Sequence, residues 1–519
     1  MTSTRRRFLA GALVAAGLGL AAAPAAAQAP TPNETTLVVG TMWESLPLAM
    51  EARRSRFFNE SEILDTLVKL DYDMGLVPGL ATEWTRETPE TWVFILRDGV
   101  VFHDGTPFDA EAAAHSLERV IALLPYAADL LQIESLEADG PNRLRITTRE
   151  PFAALPNQLT DAITGIYAAS AFDADGAFVG PVGTGPWRLV AYEKQQHTIV
   201  ERFVDYWGEA PALERIVYRY IPDHAARTIA VETGEIDLAI SPLPADVRRL
   251  ESDDRFRVFA EPTAGLYYGS FNAAVDRPTG DVRVRAAVDA LIDRELVVAA
   301  ALDGVGLPAR TFFSPGFGLV PGDRAPASEH DPARAAALLE AAGYANVDGT
   351  WTKDGAPLTL RVLSYSTRTE MPLVTDALAA LLREAGIDTE VALYTFPGMM
   401  EIVREGDYDI SVVYWTPEMT GHPDLHLKSQ FHSQAGLNYQ NWADPEFDRL
   451  VDLGRTLDPG QARDEAYLGA LAALHEDAAV LPLVHNVYTA IARPDVTGFR
   501  VHPSGFFYDL KSVSKTPRT

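Results

Sequence analysis

The sequence contains no cysteine. This absence excludes disulfide bonds, cysteine-ligated metal sites and a thiol nucleophile. It also excludes a lipid anchor on an N-terminal cysteine, because there is no thiol to acylate. Any catalytic or metal-binding chemistry must therefore come from other side chains.

Positive charge is scarce in this chain. Lys and Arg number 44 against 72 Asp and Glu, which gives a formal net charge of −28. Binding to nucleic acid or to an anionic membrane surface requires clustered Lys and Arg. The composition therefore argues against both kinds of partner, and a spread acidic surface is typical of a soluble protein.

A long apolar stretch occurs only at the N-terminus. The segment 4–9 resembles the twin-arginine export motif, and a Gly/Ala-rich run follows over 10–23. Small residues at 25–27 suit cleavage, so we expect a signal peptide over 1–27 that is removed on export to the periplasm. A membrane anchor is the alternative, but the apolar run is short and poor in Leu and Ile.

Motifs of enzymes are scarce. The sequence has no Gly-rich phosphate loop, no nucleophile elbow and no His-Glu-x-x-His. Ser512 and Lys515 match Ser-x-x-Lys, but a motif of two fixed residues arises often by chance. We therefore expect a protein that is not an enzyme and that needs no cofactor.

The most informative run extends over 92–111. Trp92, Phe94 and Leu96 alternate with other residues, a period typical of a strand. The pair Asp98-Gly99 suits a turn. Asp109 stands where an N-cap oxygen accepts a free N–H, so it predicts the start of a helix.

This run resembles the signature of the bacterial extracellular solute-binding proteins of the peptide/nickel family (family 5), which are the binding proteins of ABC importers. The resemblance covers nearly all of the chain after the signal peptide. Further matches follow in the expected order at 80–84, 181–187, 206–208, 232–238, 282–287 and 331–339.

The resemblance implies an α/β protein of two lobes, with a hinge and an extra subdomain in the first lobe. The expected boundaries are 28–60, 176–262 and 488–519 for the core of the first lobe, 61–175 for its extra subdomain and 263–487 for the second lobe. The expected partners are a small-molecule or peptide ligand and an inner-membrane permease with a cytoplasmic ATPase. The protein itself is expected to be a monomer.

The second lobe carries the pattern that matters most for function. Strands and helices alternate there, which implies a parallel or mixed sheet, and ligands bind outside the carboxyl ends of such strands. Two loops leave those ends, at 364–368 and 415–419. The predicted elements are strands at 358–363, 387–394 and 408–415 and helices at 371–385 and 399–405.

Several side chains near these loops are candidate ligand contacts. Peptide-binding relatives hold the α-ammonium with an Asp shortly after a Trp at a strand end, and Glu418 lies at about that position. Its alternative is a solvated loop residue. Arg368 suits a ligand carboxylate, because a guanidinium binds it bidentately, and its alternative is a surface arginine. The remaining candidates are aromatic walls, namely Tyr365, Tyr414, Trp415 and Phe57.

His422, His426 and His432 form the only cluster of histidines. A spacing of four places two of them on one face of a helix, which metal sites use, and nickel-binding relatives place a histidine near this region. Ordinary loop residues are the alternative. We expect a short peptide as the ligand, with a nickel chelate as the alternative within the family and a periplasmic hydrolase as the alternative outside it.

Overall fold

The computed structural model describes residues 33–42, 61–314, 318, 324–417, 419–505 and 510–516. The strands are β1 Thr36–Thr41, β2 Val68–Leu70, β3 Leu76–Pro78, β4 Ala81–Thr88, β5 Thr91–Leu96, β6 Ile133–Ala138, β7 Arg143–Thr148, β8 Trp187–Glu193, β9 His197–Arg202, β10 Arg215–Tyr220, β11 Leu238–Ile240, β12 Arg257–Phe271, β13 Leu307–Pro308, β14 Ala345–Val347, β15 Thr350–Lys353, β16 Ala356–Pro357, β17 Thr359–Tyr365, β18 Asp388–Tyr394, β19 Ile410–Trp415, β20 Val480–Ala492, β21 Val496–Thr497 and β22 Ser514–Lys515. The α-helices are α1 Ala110–Leu123, α2 Pro125–Leu131, α3 Leu155–Gln158, α4 His224–Thr233, α5 Pro244–Leu250, α6 Val282–Leu291, α7 Arg294–Leu302, α8 Pro332–Ala341, α9 Glu370–Glu384, α10 Phe396–Glu405, α11 Asp424–His426, α12 Pro445–Thr456 and α13 Gln461–Glu476.

One mixed sheet of eleven strands runs through the described part of the chain. Its order is β18-β17-β19-β12-β20-β11-β1-β10-β9-β8, and β13 pairs with β20. A separate four-stranded sheet, β4-β5-β7-β6, lies beside α1. Within the described residues, no helix combines the length and the apolar composition that crossing a membrane requires.

The run at 92–111 folds as its pattern predicts. Trp92, Phe94 and Leu96 are buried in β5. Asp109 caps α1, because its carboxylate accepts a hydrogen bond from the N–H of Ala112. Gly99 has a φ of +72°, a left-handed conformation that glycine adopts without a clash. The resembling run is thus a packing and turn motif and not a site.

The segment from β10 through α4 to β11 corrects a sequence-based expectation. The pattern predicts two parallel strands that lie side by side. The strands are parallel, but β1 from the start of the described chain lies between them and pairs with both. The helix itself matches the prediction, with Asp223 as its N-cap and Gly234 at its C-terminal end.

The three strands of the second half behave as predicted, because β17 pairs in parallel with both β18 and β19. The last long strand, β20, differs from the prediction. The sequence reads as two strands at 481–485 and 487–491, whereas the chain forms the single strand β20. It pairs with β12, so two long neighbouring strands replace the three short strands predicted at 266–272, 481–485 and 487–491.

Two hydrophobic cores flank these long strands. The first core is built mainly from residues within 37–240 and 490–513, together with Leu425. The second core is built from residues within 266–484. The strands β12 and β20 extend through both, and their register shifts between Pro262 and Leu266. A bulge of this kind bends a strand, and here it lies at the junction of the two cores.

Candidate functional site

The two loops predicted to line a site follow the carboxyl ends of two paired strands, so both leave the sheet on the same side. Strand β17 pairs directly with β19 through Val362 and Ile410, so their carboxyl ends lie next to each other. Residues 366–368 follow the first strand and Thr416 follows the second. The sequence predicts that the two loops can line one pocket if these strands lie close together, and the pairing meets that condition.

Arg368 is a charged residue in the loop that follows β17. Its guanidinium carbon lies 3.8 Å from the centroid of the Tyr414 ring, which is cation–π geometry. Its Nη1 donates to the hydroxyl of Tyr267 over 3.4 Å. Among the described residues, no carboxylate lies within 4.0 Å of it. The one hydrogen bond given for this guanidinium within the described residues is the bond to Tyr267.

The surroundings of Arg368 keep it charged. Burial by itself would lower the pKa of this guanidinium, but the phenol oxygens of Tyr267 and Tyr414 and the carboxylate of Glu370 outweigh that effect. The net result is a pKa above the ordinary value for arginine. A permanent positive charge at the edge of the sheet favours a ligand with a negative group.

Tyr267 is a site residue that the sequence analysis missed. It pairs with Tyr414 across β12 and β19, and the two rings lie 4.9 Å apart. Gly265 permits this packing, since a Cβ there would lie 2.2 Å from the Tyr414 hydroxyl. The sequence predicted a strand over these residues but not its register, and the register is what brings Tyr267 to Arg368.

The candidate aromatic walls divide into two groups. Tyr414 stacks with Arg368, whereas Tyr365 and Trp415 both contact Phe396, with ring centroids at 5.1 and 6.4 Å. Burial raises the pKa of Tyr365 to about 12, so its hydroxyl stays protonated. The three predicted residues share one edge of the sheet, but only Tyr414 contacts the guanidinium directly.

Glu418 and Phe57 lie outside the described residues. The described residues that follow position 418 are held by contacts with other parts of the chain. Asn157 on α3 donates through Nδ2 to the carbonyls of Thr420 and Gly421, at 3.1 Å each. Gly421 has a φ of +64°, and a Cβ there would lie 2.6 Å from the carbonyl oxygen of Met74. Contacts with residues of the chain before α4 therefore fix where this loop ends.

The three candidate metal-binding histidines have separate environments. His422 packs against Tyr467, with ring centroids 5.5 Å apart. His426 lies among aromatic rings and bonds the hydroxyl of Tyr268 over 3.2 Å. His432 bonds Asp452 over 3.3 Å. Within the described ranges, no group of three or more His, Asp or Glu side chains is arranged to hold a metal ion.

Burial dominates the titration of two of these histidines and of a third on β20. It lowers the pKa of His422 and His426 to about 3 and that of His485 to about 4. In the unfolded chain a histidine titrates at about 6.5. At pH values between the folded and the unfolded pKa, the unfolded chain binds protons that the folded protein does not bind. The free energy of unfolding therefore rises with pH over this range.

We therefore expect the free energy of unfolding to fall on acidification from about pH 6 to about pH 5, by about 1.2 kcal/mol for each of the three histidines. Urea unfolding at the two pH values measures the change. Replacing His426 with Phe removes one titrating group and should reduce the difference by a third. A difference that is the same in the variant and the parent protein would contradict this assignment.

Lys515, from the Ser-x-x-Lys match, serves a structural role. Its ammonium lies 3.0 Å from Oδ1 of Asp237, and both side chains are almost completely buried. It also donates to the carbonyl of Thr36 over 3.0 Å. The ammonium thus joins the C-terminal segment to β1 and to the residue before β11.

A pocket of about 400 Å³ that is open to solvent lies at the opposite end of these strands from Arg368. Thr359 and Glu390, near the amino ends of β17 and β18, contribute to its walls. Its two arginines, Arg277 and Arg361, both pair with Asp407. Since an acid neutralises these guanidinium groups, this cavity offers less to an anionic ligand than Arg368 does.

Comparison with known proteins identifies the family. The model for bacterial extracellular solute-binding proteins, family 5 Middle, matches residues 75–438. The chain belongs to this family. The fold of this solute-binding protein is accordingly the two-lobed α/β fold of the family, and its role is to bind a solute for an ABC importer.

Named relatives of this solute-binding protein bind different ligands. The nickel-binding periplasmic protein of Escherichia coli (strain K12) is 29% identical over 477 residues, which cover 85% of this chain and 87% of the relative. The probable di/tripeptide-binding protein 5 of Pseudomonas aeruginosa (strain UCBPP-PA14) is 26% identical over 475 residues, with 85% and 88% covered. Both are described as binding proteins and not as enzymes.

A solved structure supports the same assignment. The crystal structure of NikA from Brucella suis in complex with Fe(III)-EDTA superposes on this solute-binding protein with a TM-score of 0.84. The two sequences are 26% identical, and the match covers 93% of this chain and 100% of that chain. The expectations of family and fold class are thereby confirmed.

Proposed function

We propose that this solute-binding protein captures short peptides and that Arg368 holds a carboxylate of the ligand. The observation that supports this most is the guanidinium of Arg368. It is stacked on Tyr414 and bonded to Tyr267, yet it pairs with no carboxylate among the described residues. Two parallel bonds from one guanidinium to one carboxylate are strong and directional, particularly in a site that excludes water.

The ligands named for relatives suit such a site. Dipeptides and tripeptides carry a terminal carboxylate, and so does each arm of the EDTA chelate named for the Brucella suis protein. A peptide also carries an α-ammonium, and we assign its partner to Glu418. Trp415, Tyr365 and Phe57 then supply aromatic surface for the body of the ligand.

Closure of two lobes around the ligand completes the proposal. Each hydrophobic core is taken as the centre of one lobe, with the boundaries predicted from the sequence. The chain crosses between them at β12 and β20, and such crossings serve as a hinge. A ligand that contacts both lobes favours closure by its differential affinity for the closed form. The closed form then docks on a permease in the inner membrane.

The setting follows from the family and from the sequence. We propose a monomer that acts in the periplasm after export by a cleaved twin-arginine signal at 1–27, a segment outside the described residues. The protein is taken to bind its ligand without converting it. A panel of chromogenic esters and amides tests this, because steady release of product that scales with protein concentration would support the hydrolase alternative.

A nickel chelate is the second candidate. It is favoured by the nickel-binding relative and by His426, which lies in the segment after β19 with Trp415 at 5.9 Å between ring centroids. A chelate with carboxylate arms would use Arg368 in the same way. The peptide remains the first choice, because His422 and His432 have protein partners of their own.

Native mass spectrometry of the protein, purified without added ligand, separates these candidates. We expect mass increments spread over several values that fit short peptides and that disappear after mild unfolding. Peptide sequencing of the released material gives their identity. A single increment with the isotope pattern of nickel would instead replace the peptide by the chelate.

A further inference from the structure

Thr369 does not use its hydroxyl to cap the helix that it precedes. It occupies the position before α9, where a threonine side chain ordinarily accepts a hydrogen bond from a free N–H of the first turn. No such bond forms here. The hydroxyl instead lies 2.5 Å from Nε2 of His224. This contact joins the segment before α9 to α4, which His224 begins and which packs beside β1 and β11.

The other ring nitrogen of His224, Nδ1, also has protein partners. Its Nδ1 lies 2.9 Å from both the carbonyl of Ser241 and Nη2 of Arg227. Arg227 is completely buried and donates further hydrogen bonds to the carbonyls of Ile240 and Ile221, at 2.9 and 2.7 Å. The imidazole is therefore held by buried partners and is not a mobile surface group.

Ser241 contributes an unusual backbone conformation to this arrangement. Its φ is +50°, in the left-handed region that a residue with a side chain rarely adopts. In this conformation its carbonyl accepts from Arg227 and contacts His224, and its own N–H donates to Thr489 on β20. Strained backbone of this kind persists only where surrounding contacts hold it, and it concentrates at functional sites.

We propose that His224 is a positioning residue that reaches from α4 and holds the segment carrying Arg368. Thr369 is the residue next to Arg368, so fixing its hydroxyl also limits where the guanidinium lies. A threonine hydroxyl both donates and accepts, and it therefore bonds Nε2 in either tautomer of the ring. This inference rests on the proposed role of Arg368 in binding a carboxylate.

The contact has a consequence for closure. Because it joins α4, beside β1 and β11, to the segment before α9, we expect it to form only when the two lobes approach each other. The contact orders one wall of the site before the ligand binds, and it thereby reduces the entropic cost of binding. We infer that a closed population with this contact is detectable in the protein without ligand.

Spin-label distance measurement tests this inference. The chain has no cysteine, so Asp205→Cys in the first half and Glu401→Cys on α10 can be labelled without background. Both positions are exposed. The protein is unfolded and refolded to remove any ligand, and the distance distribution is recorded by double electron–electron resonance. We expect a population at the distance that the described structure gives for this pair.

Thr369→Val removes the hydroxyl at nearly constant volume and should lower that population about fivefold relative to the open form. Thr369→Ser keeps the hydroxyl and should restore it. Thr375→Val is the matched control on α9, since this hydroxyl bonds Met371 of its own helix over 2.7 Å. An unchanged distribution in Thr369→Val, or a parent protein without the closed distance, would overturn the proposal.

The measurement uses no ligand, so its result is independent of the peptide assignment. A protein that shows the predicted shift but binds no peptide would refute the proposed ligand and leave the positioning role intact. A protein that binds peptides with equal affinity in the parent and in Thr369→Val, and shows no shift, would refute the positioning role alone.

Discussion

Replacing Arg368 with alanine is expected to weaken the binding of a peptide with a free carboxylate by about 100-fold. The loss follows from the removal of a charge-assisted pair in a partly buried site, which costs about 3 kcal/mol and leaves the ligand's carboxylate without a partner. Isothermal titration calorimetry with a peptide recovered from the native protein measures the change. The aromatic contacts to Tyr414 are lost as well, so the effect includes some loss of order in the site.

Variants of two arginines separate the specific role from a general effect of charge. Arg368→Lys keeps the charge but loses the planar fork, and we expect a loss of about tenfold. Arg361→Ala removes a guanidinium from β17, the strand that precedes the loop with Arg368. Arg361 pairs with Asp407 and lies near the amino end of that strand. This variant should bind like the parent. Equal losses in the Arg361 and Arg368 alanine variants would show that only net charge matters.

Replacing Lys515 with methionine is expected to lower the free energy of unfolding by about 3 kcal/mol or more. The ammonium and the carboxylate of Asp237 form a buried pair at 3.0 Å, and removing one partner leaves the other charge buried. Urea unfolding followed by circular dichroism measures the change. Ligand affinity should stay within about twofold of the parent, because Lys515 lies away from Arg368 and acts on the C-terminal segment.

Two further variants make this result interpretable. Lys511→Met removes a half-exposed ammonium that lies 3.7 Å from Glu62, and such a pair should contribute less than about 1 kcal/mol. The double variant Lys515→Met with Asp237→Asn should lose less than the sum of the two single variants, because neither charge is then left alone. A loss in Lys515→Met as small as that in Lys511→Met would contradict a structural role for the buried pair.

Local patterns predicted much of this fold. The cap at Asp109, the strand with Trp92 and the parallel strands β17 and β19 all follow from short-range signals of turn chemistry and hydrophobic period. These signals are strong because each depends on residues only a few positions apart. The sequence could not show that the two loops lie close together, because that depends on the pairing of β17 with β19.

Long-range pairing was beyond the reach of the sequence. The pattern could not show that β1 lies between β10 and β11, because the pairing joins residues far apart in the chain. It also read β20 as two strands. Asn486 lies between the two predicted segments, and its amide donates to the hydroxyl of Thr263 over 3.0 Å within the long strand pair.

The residues of the candidate site also divide into those that local patterns indicate and those that depend on long-range pairing. Arg368 and Tyr414 could be proposed as candidates because they lie at or just after the ends of predicted strands. Tyr267 was missed because its role depends on the register between β12 and β19. The contact of Thr369 with His224 joins residues 145 positions apart, and no local pattern relates them.

The most direct test of the central claim compares one peptide with its C-terminal amide. Calorimetry with the parent protein should give a dissociation constant about 100-fold higher for the amide, because the neutral group cannot pair with Arg368. The two forms should bind Arg368→Ala with similar, weak affinity. If the parent protein binds acid and amide equally well, then Arg368 does not hold a ligand carboxylate and the proposed mode of capture is wrong.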